Sequence, residues 1–268
     1  MSHVRATSNS LLFITLDSCR YDTFQGSLTP RMDEVGPLHR AYAPGTFTYG
    51  SHAAMFVGFT PGVAGIRRPY LNPKYMKIFR VSGSPDVKPG RFNLDGRNIV
   101  EGFRKAGYFS VGTGAVRWFD PGTPTGRQLT EDFHEFYYSE NTFSVQTQVD
   151  FLLSRALVRP AEPVFFFLNV GETHVPYYHE GAKWSKHDNP CIPFSDTNRS
   201  AECQLRQKAC LEFIDGRLAP LLHLFRDANI LICADHGDAW GEGGIWEHGV
   251  HHPKVLEVPL IFRLNHPG

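Results

Sequence analysis

The chain has 268 residues and a mass of 30.2 kDa, which suffices for one α/β domain with a large core or for two small domains. Its 27 basic and 27 acidic residues cancel, so no overall field favours nucleic acid or an anionic membrane as a partner. The sequence shows no signal-peptide core, no apolar run near the roughly 20 residues of a membrane span, and no tight C-x-x-C spacing. These features predict a cytoplasmic protein with mostly reduced thiols, although a bridge among Cys191, Cys203 and Cys210 stays open.

Apolar runs alternate with helical patterns along the chain, which predicts a mostly parallel sheet covered by helices on both faces. The predicted strands are 11–16, 108–111, 164–168, 230–234 and 258–262. The predicted helices are 52–56, 98–106, 143–158 and 201–225, and Pro220 is expected to kink or divide the last of them. The Pro/Gly-rich stretches 61–91 and 120–127 are expected to be surface loops near a substrate mouth. No repeat or boundary interrupts the pattern, so residues 1–268 are predicted to form one domain.

Polar side chains follow two of the buried strands where each strand ends. Asp17 comes directly after the first run, and Asp235 and His236 follow the run 230–234. Open α/β sheets place their active sites at this edge. A carboxylate beside an imidazole suits a divalent transition metal, and the glycine-rich continuation brings a further imidazole, His248. The sequence therefore predicts a metal site at the carboxyl end of the sheet.

Thr48 is the predicted nucleophile of this site. It lies in G-T-F-T-Y-G-S-H, at the start of a predicted helix. A threonine hydroxyl is inert at neutral pH, but coordination to a divalent cation lowers its pKa and a helix N-terminus stabilises the resulting anion. Three protein ligands (Asp17, Asp235 and His236) with the Thr48 hydroxyl as a fourth would complete a tetrahedral site. Thr46 and Ser51 are the alternative hydroxyls.

Several motifs of the chain together resemble the alkaline phosphatase/sulfatase superfamily over most of its length. L-D-S-C-R-Y-D-T-F and A-P-G-T-F-T-Y-G-S-H-A-A-M-F-V-G-F-T-P-G resemble the sulfatase opening, with Thr48 at the position of the cysteine that becomes formylglycine. E-T-H-V-P-Y resembles the H-x-P-[YFW] element, and H-P-K-V-L-E-V-P-L-I-F resembles the element that closes the sheet. The G-T-F-T motif and the spacing of twelve between His236 and His248 resemble the phosphoethanolamine transferases, which use a threonine nucleophile.

This resemblance implies a three-layer α/β/α fold with a mostly parallel, alkaline-phosphatase-like sheet. It also implies that Asp17, Thr48, Asp235 and His236 hold a first metal. His174 and His248 would bind a second metal or the phosphate of the substrate, and Lys254 would lie near the lysine that assists the leaving group in sulfatases. The chain departs from the sulfatases in two ways. A threonine cannot become formylglycine, and G-A-V-R stands where sulfatases have G-K-W-H.

The predicted function is metal-dependent hydrolysis of a small-molecule phosphate or phosphonate ester through a phospho-threonine intermediate. Zinc is the expected ion and manganese the alternative, with one or two ions, and no nucleic-acid or membrane partner is expected. Three other functions stay open: a soluble phosphoethanolamine-type transferase, a formylglycine-independent sulfatase, or a metal-binding protein with degraded catalysis. Arg20 and Asp22 are expected to be structural residues or residues that support the metal ligands. The polar residues expected to lie outside the site are Glu172, His179, Glu242, His251 and His252.

Overall fold

The structure is a computed structural model that describes residues 5–58, 79–81, 92–94, 98–158 and 162–265. Its helices are α1 (Tyr21–Gln25), α2 (Pro30–Asp33), α3 (Thr48–Val57), α4 (Ile99–Lys105), α5 (Pro124–Thr130), α6 (Val145–Leu157), α7 (Ser200–Leu224) and α8 (Pro253–Leu256). Its strands are β1 (Leu11–Leu16), β2 (His39–Tyr42), β3 (Phe79–Val81), β4 (Phe92–Leu94), β5 (Phe109–Gly114), β6 (Glu135–Tyr138), β7 (Val164–Val170), β8 (Asn229–Ala234), β9 (Ala239–Trp240), β10 (Trp246–Glu247) and β11 (Glu257–Arg263).

Seven strands form one central sheet in the order β2-β11-β8-β1-β7-β5-β6. β11 runs antiparallel to both of its neighbours, β8 and β2, whereas the other neighbouring strands of this sheet are parallel. The registers pair Leu16 with both Val170 and Ala234, so β7, β1 and β8 end at the same level. Side chains that follow these three strands are therefore brought together at one edge, as the sequence predicts.

Helices cover both faces of this sheet, and each face has its own apolar core. Helices α6 and α7 pack on one face, while α3, α4 and α5 pack on the other. Strand β7 is buried along its whole length and sends Phe166 into the first core and Phe165 and Phe167 into the second. A strand buried on both faces needs apolar residues at every position, which explains its continuous apolar run. The predicted three-layer α/β/α fold is confirmed.

Two local predictions need correction. The stretch 120–127 is not a loop throughout, because Pro124 begins helix α5 and the Thr123 hydroxyl accepts a hydrogen bond from Gly126 N at 3.0 Å. Pro220 does not divide α7, which runs without a break from 200 to 224. Of the predicted loop 61–91, residues 79–81 form β3, which pairs antiparallel with β4, and the rest lies outside the described residues.

All five cysteines are buried free thiols. Within the described ranges, none of the helices combines the length and the apolar character that a bilayer crossing requires.

Candidate active site

Two buried carboxylates and an imidazole meet at the carboxyl ends of β1 and β8. Asp17 follows β1, and Asp235 and His236 follow β8. All three side chains are fully buried, and one ligand atom from each lies within 4.8 Å of those of the other two. The structure thus brings together the three residues that the sequence predicts as ligands of the first metal.

The ring of His236 is oriented by the backbone. Its Nδ1 lies 3.0 Å from the carbonyl oxygen of Gly237 and donates to it, which leaves Nε2 as the acceptor nitrogen. Nε2 faces the two acids, 3.8 Å from Asp17 Oδ1 and 3.6 Å from Asp235 Oδ2. Burial, together with the nearby charge of His248, lowers the pKa of His236 to about 4, so its imidazole is neutral at pH 7. A neutral imidazole with a free nitrogen is the form that binds a metal ion.

Thr48 is the first residue of α3, and its hydroxyl points at the same group. Its Oγ1 lies 3.4 Å from Asp17 Oδ2, to which it donates, and 3.4 Å from His236 Nε2. The side chain is 1% exposed, at the helix end where the unpaired N–H groups favour negative charge. Of the alternative hydroxyls, Ser51 Oγ has no hydrogen-bond partner among the residues that the structure describes. The geometry therefore favours Thr48 over Ser51 as the hydroxyl of this centre.

Of the two acids, Asp235 has a carboxylate oxygen that the described residues leave without a hydrogen bond. Asp235 Oδ1 accepts hydrogen bonds from the N–H groups of Ser18 and His236, at 3.2 and 2.9 Å, but Oδ2 has no hydrogen-bond partner within the described part of the chain. Burial, and then the charge of Asp17, raises the pKa of Asp235 well above its ordinary value. A buried carboxylate oxygen without a donor, beside a second acid and an imidazole, is what a divalent cation would satisfy. The residues present therefore fit a metal ion.

His248 and Asp238 form a second group next to the first. His248 Nδ1 donates to Asp238 Oδ1 at 2.7 Å, and the hydroxyl of Tyr177 donates to Asp238 Oδ2 at 2.8 Å. Trp240 Nε1 in turn donates to the Tyr177 hydroxyl at 2.7 Å. Burial lowers the pKa of His248, but the charge and hydrogen bond of Asp238 outweigh it and raise that pKa to about 9. His236, Asp238 and His248 also lie close enough together to share an ion.

His174 lies beside this second group. Its ring centroid is 5.3 Å from that of His248, and the His248 ring is 4.4 Å from that of His236. His174 Nδ1 is engaged with the carbonyl oxygen of Val175 at 2.9 Å, which leaves Nε2 as the ring nitrogen for a ligand. The three predicted histidines are thus neighbours in space.

Lys254 is held in a separate ion-pair network. Its Nζ lies 2.6 Å from Asp22 Oδ2, and Asp22 also receives two hydrogen bonds from Arg20, at 2.8 and 2.6 Å. Arg20 reaches Glu242 at 2.8 Å and stacks over the ring of Trp240 at 4.1 Å. In the described residues, no hydrogen bond or ion pair joins Lys254 to the carboxylates of Asp17 and Asp235. The network ties the loop after β1 to the loop after β8, which is the structural contribution expected of Arg20 and Asp22.

Sequence reasoning missed Asp238 and the contribution of His52. His52 lies one turn after Thr48 in α3, where its Nδ1 is 2.8 Å from the carbonyl oxygen of Thr48 and its Nε2 is 2.9 Å from Thr15 Oγ1. It therefore fixes the helix turn that carries Thr48 against β1. The signal for Asp238 was present, because a third acid follows Asp235 within the same D-H-G-D run.

No family model and no curated protein matches the chain. Solved structures do match its fold. A protein in the alkaline phosphatase superfamily from Vibrio parahaemolyticus has a TM-score of 0.58 at 16% identity over 97% of this chain and 61% of its own. The C-terminal periplasmic domain of phosphoethanolamine transferase EptC from Campylobacter jejuni has a TM-score of 0.61 at 16% identity, over 97% of this chain and 80% of its own. A zinc complex of the corresponding EcEptC domain from Escherichia coli has a TM-score of 0.62 at 13% identity, over 97% of this chain and 73% of its own. The chain has the fold of the alkaline phosphatase superfamily, although it spans less than two thirds of the first of these structures.

Proposed function

We propose that this protein is a metal-dependent hydrolase of phosphate or phosphonate esters that acts through a covalent phospho-threonine at Thr48. One observation carries the proposal: the Thr48 hydroxyl lies at a helix N-terminus, 3.4 Å from both Asp17 and His236, beside the buried Asp235 oxygen that has no hydrogen-bond partner among the described residues. The fold shared with the superfamily supports an enzyme of this general kind. A zinc complex of the structurally similar EcEptC domain favours zinc over manganese.

Asp17, Asp235 and His236 would hold the ion together with Thr48. His248, oriented by Asp238, would contact the substrate. A divalent cation bound by Asp17, Asp235, His236 and the Thr48 hydroxyl would lower the pKa of that hydroxyl and offset charge on the phosphate oxygens. Thr48 Oγ gives up its proton to solvent and attacks phosphorus in line, and the bond to the leaving oxygen breaks as the new bond forms. The N-terminus of α3 stabilises the equatorial oxygens of the phosphoryl group.

The histidines that border this first group supply positive charge to the phosphate and a proton to the leaving oxygen. The imidazolium of His248, held by Asp238 at 2.7 Å, contributes positive charge to the phosphate. In this step His174 carries a proton on Nε2 as well as on Nδ1 and delivers the Nε2 proton to the leaving oxygen, and Lys254 is the alternative donor. Attack of water on the phospho-threonine releases the product and restores the Thr48 hydroxyl.

A transferase is the second candidate, because a solved structure with this fold is a phosphoethanolamine transferase domain. Hydrolysis and transfer differ only in whether water or an alcohol attacks the phospho-threonine. Turnover in the presence of added glycerol separates the two. Formation of a glycerol ester that outpaces hydrolysis supports transfer, whereas release of free phosphate or phosphonate alone supports hydrolysis.

The proposal is tested by metal analysis and a substrate panel. The purified protein, loaded with zinc or manganese, is assayed with p-nitrophenyl phosphate, bis(p-nitrophenyl) phosphate, p-nitrophenyl phenylphosphonate and p-nitrophenyl sulfate. We expect the diester or the phosphonate to react fastest. Sulfate release at a matching rate would instead support a sulfatase, and a metal-loaded protein inert towards the whole panel would support a protein with degraded catalysis.

Thr48→Ala supplies the decisive variant and Thr46→Ala its matched control. We expect Thr48→Ala to lower kcat by a factor of about 10³ or more, since loss of a nucleophile removes the covalent route. Thr46→Ala is expected to keep kcat within about threefold. Acid quenching of the wild type during turnover should leave the substrate's phosphoryl group on the peptide that contains Thr48, detected by mass spectrometry. Equal activities of the two variants would refute the assignment.

A further inference from the structure

The segment 115–119, which directly follows β5, packs against the first turn of α3, where Thr48 lies. The ring of Trp118 in this segment contacts the rings of the two residues that flank Thr48 in the chain. Its centroid lies 5.9 Å from that of Phe47 and 5.7 Å from that of Tyr49. Trp118 is therefore a neighbour of the proposed nucleophile.

Contacts at both ends of the segment fix its position. At the start, Ala115 N donates to Asn169 Oδ1 at 3.3 Å, and Asn169 Nδ2 lies 3.5 Å from Asp17 Oδ2, to which it donates. At the end, the ring of Phe119 packs edge to face on that of His52, with the centroids 4.9 Å apart. Ala115 and Phe119 are both buried, so Trp118 is held between two anchored residues.

Trp118 itself is 41% exposed. Tyr49 covers part of the indole, because the two rings stack with 26° between their planes. Trp118 also borders a cavity of about 340 Å³, whose described lining consists of Arg117, Trp118, Thr123 and Thr125. Most of the accessible lining is apolar, and the Thr123 hydroxyl is already used to cap α5. A cavity of this size and character suits an organic group.

An exposed indole beside a guanidinium favours an aromatic ring as that organic group. Aromatic rings pack well on Trp118, and the guanidinium of Arg117 is attracted to the face of a ring. In-line attack places the leaving oxygen on the side of phosphorus opposite Thr48 Oγ. Because Trp118 packs on the residues that flank Thr48, it lies on the other side and faces a substituent that phosphorus retains.

We propose that Trp118 and its cavity bind an aromatic group that the substrate carries on phosphorus and that stays there during the reaction. The substrates are then aryl phosphonate esters or phosphodiesters with a retained aryl group. This inference rests on the proposed function and names its class of substrate.

The first test compares phenylphosphonate with methylphosphonate by isothermal titration calorimetry of the zinc-loaded full chain. Both carry the same phosphonate group and lack a leaving group. We expect phenylphosphonate to bind at least about tenfold more tightly, because its ring buries far more apolar surface on Trp118 than a methyl group does. Trp118→Ala should abolish this preference, and Trp118→Phe should keep most of it.

Phe262→Ala is the matched control for loss of an exposed aromatic side chain. Phe262 is 38% exposed and pairs with Leu231 in β8, away from the carboxyl end of the sheet. It should leave the preference within about twofold of the wild-type value.

The second test uses the wild-type protein, so it does not depend on the folding of a variant. Phenylphosphonate should shift the indole N–H resonance of Trp118 by its ring current, whereas methylphosphonate should not. Equal affinities for the two phosphonates, including no detectable binding of either, would overturn the proposal. A preference that survives in Trp118→Ala, or an unshifted Trp118 resonance, would overturn it as well.

Thr48→Ala separates this inference from the hydrolase proposal on which it rests. If both are right, this variant loses turnover but keeps the tenfold preference for phenylphosphonate. An active Thr48→Ala with the preference intact would refute the mechanism alone. An inactive Thr48→Ala in which the two phosphonates bind equally would refute the aromatic site alone.

Discussion

Replacement of Asp235 by asparagine should stabilise the metal-free protein and, at the same time, abolish its stabilisation by zinc. Asparagine can keep the acceptor that Ser18 N and His236 N use. Its amide then replaces Oδ2, the oxygen that has no hydrogen-bond partner among the described residues, and removes one of two buried like charges. Both effects favour the folded state as long as no cation is bound.

The size of this effect follows from the distance between the two acids. The carboxylate atoms of Asp17 and Asp235 lie within 4.8 Å of each other. At that separation and an effective dielectric constant of about 20, the repulsion is about 3.5 kcal/mol. Uptake of a proton by Asp235, whose pKa is raised, relieves part of the repulsion, so we expect a gain of about 1–3 kcal/mol. For a chain of this size that gain corresponds to an increase of about 2–6 °C in Tm.

The assay is thermal unfolding at pH 7.5, with chelator and with zinc. Wild-type protein at a free zinc concentration 1,000 times its Kd should gain about 4 kcal/mol, whereas Asp235→Asn should gain much less. The order of the two Tm values should therefore reverse when zinc is added. Asp215→Asn is the control, because Asp215 is a buried acid that accepts hydrogen bonds from the N–H groups of Arg31 and Met32, away from this site. It should lower Tm equally with and without zinc.

The reasoning would be refuted if Asp235→Asn melted below the wild type in chelator. It would be refuted equally if zinc stabilised both proteins to the same extent, because the carboxylate would then contribute nothing to metal binding.

Three further predictions concern the residues around the centre. Asp238→Asn should lower kcat by about 10–100-fold through the orientation of His248, and steady-state kinetics at unchanged metal content would check this. Lys254→Ala should slow esters with alkyl leaving groups by about 10²-fold and p-nitrophenyl esters by less than about fivefold if Lys254 protonates the leaving oxygen, whereas equal losses would refute that function. Burial raises the pKa of Asp22, but hydrogen bonds from Arg20 and Lys254 outweigh it and hold that pKa below its usual range. Its ion pairs therefore stabilise the fold above about pH 4, and the stabilisation is lost as the pH falls further. Because Asp22 is 37% exposed, denaturant titrations should show that Asp22→Asn costs only about 1 kcal/mol at pH 7 and still less at pH 3.

The central strands could be predicted because burial on both faces demands an unbroken apolar run. This holds for β1, β7 and β8, whose burial leaves almost no position for a polar residue. The edge strands β2 and β6 could not be predicted in the same way. In β2 three of four residues are exposed, so packing does not require apolar and polar residues to alternate along the strand. The antiparallel direction of β11 could not be predicted either, because an apolar run carries no information about strand direction.

The grouping of Asp17, Asp235 and His236 could be predicted because these residues directly follow strands that end at one level. Thr48 joins them because it is the first residue of α3. The G-T-F-T motif before a run of small residues indicates this helix start. Asp238 escaped prediction because its significance depends on Tyr177, 61 positions away in sequence. A contact of that range follows from the assembled fold and from no local pattern.

The two groups of side chains that could hold a metal ion are not equivalent, and the difference bears on how many ions the proposed mechanism requires. Asp238 is fully satisfied by the hydrogen bonds of His248 and the Tyr177 hydroxyl, so no further donor is needed there. Asp235 keeps a buried oxygen without a partner among the described residues, beside the second acid Asp17. A cation therefore relieves a large electrostatic cost in the first group, but in the second it would have to displace hydrogen bonds that already compensate the charge. The proposed mechanism therefore needs only one tightly held ion, and in it His248 supplies the positive charge that a second metal would otherwise bring to the phosphate.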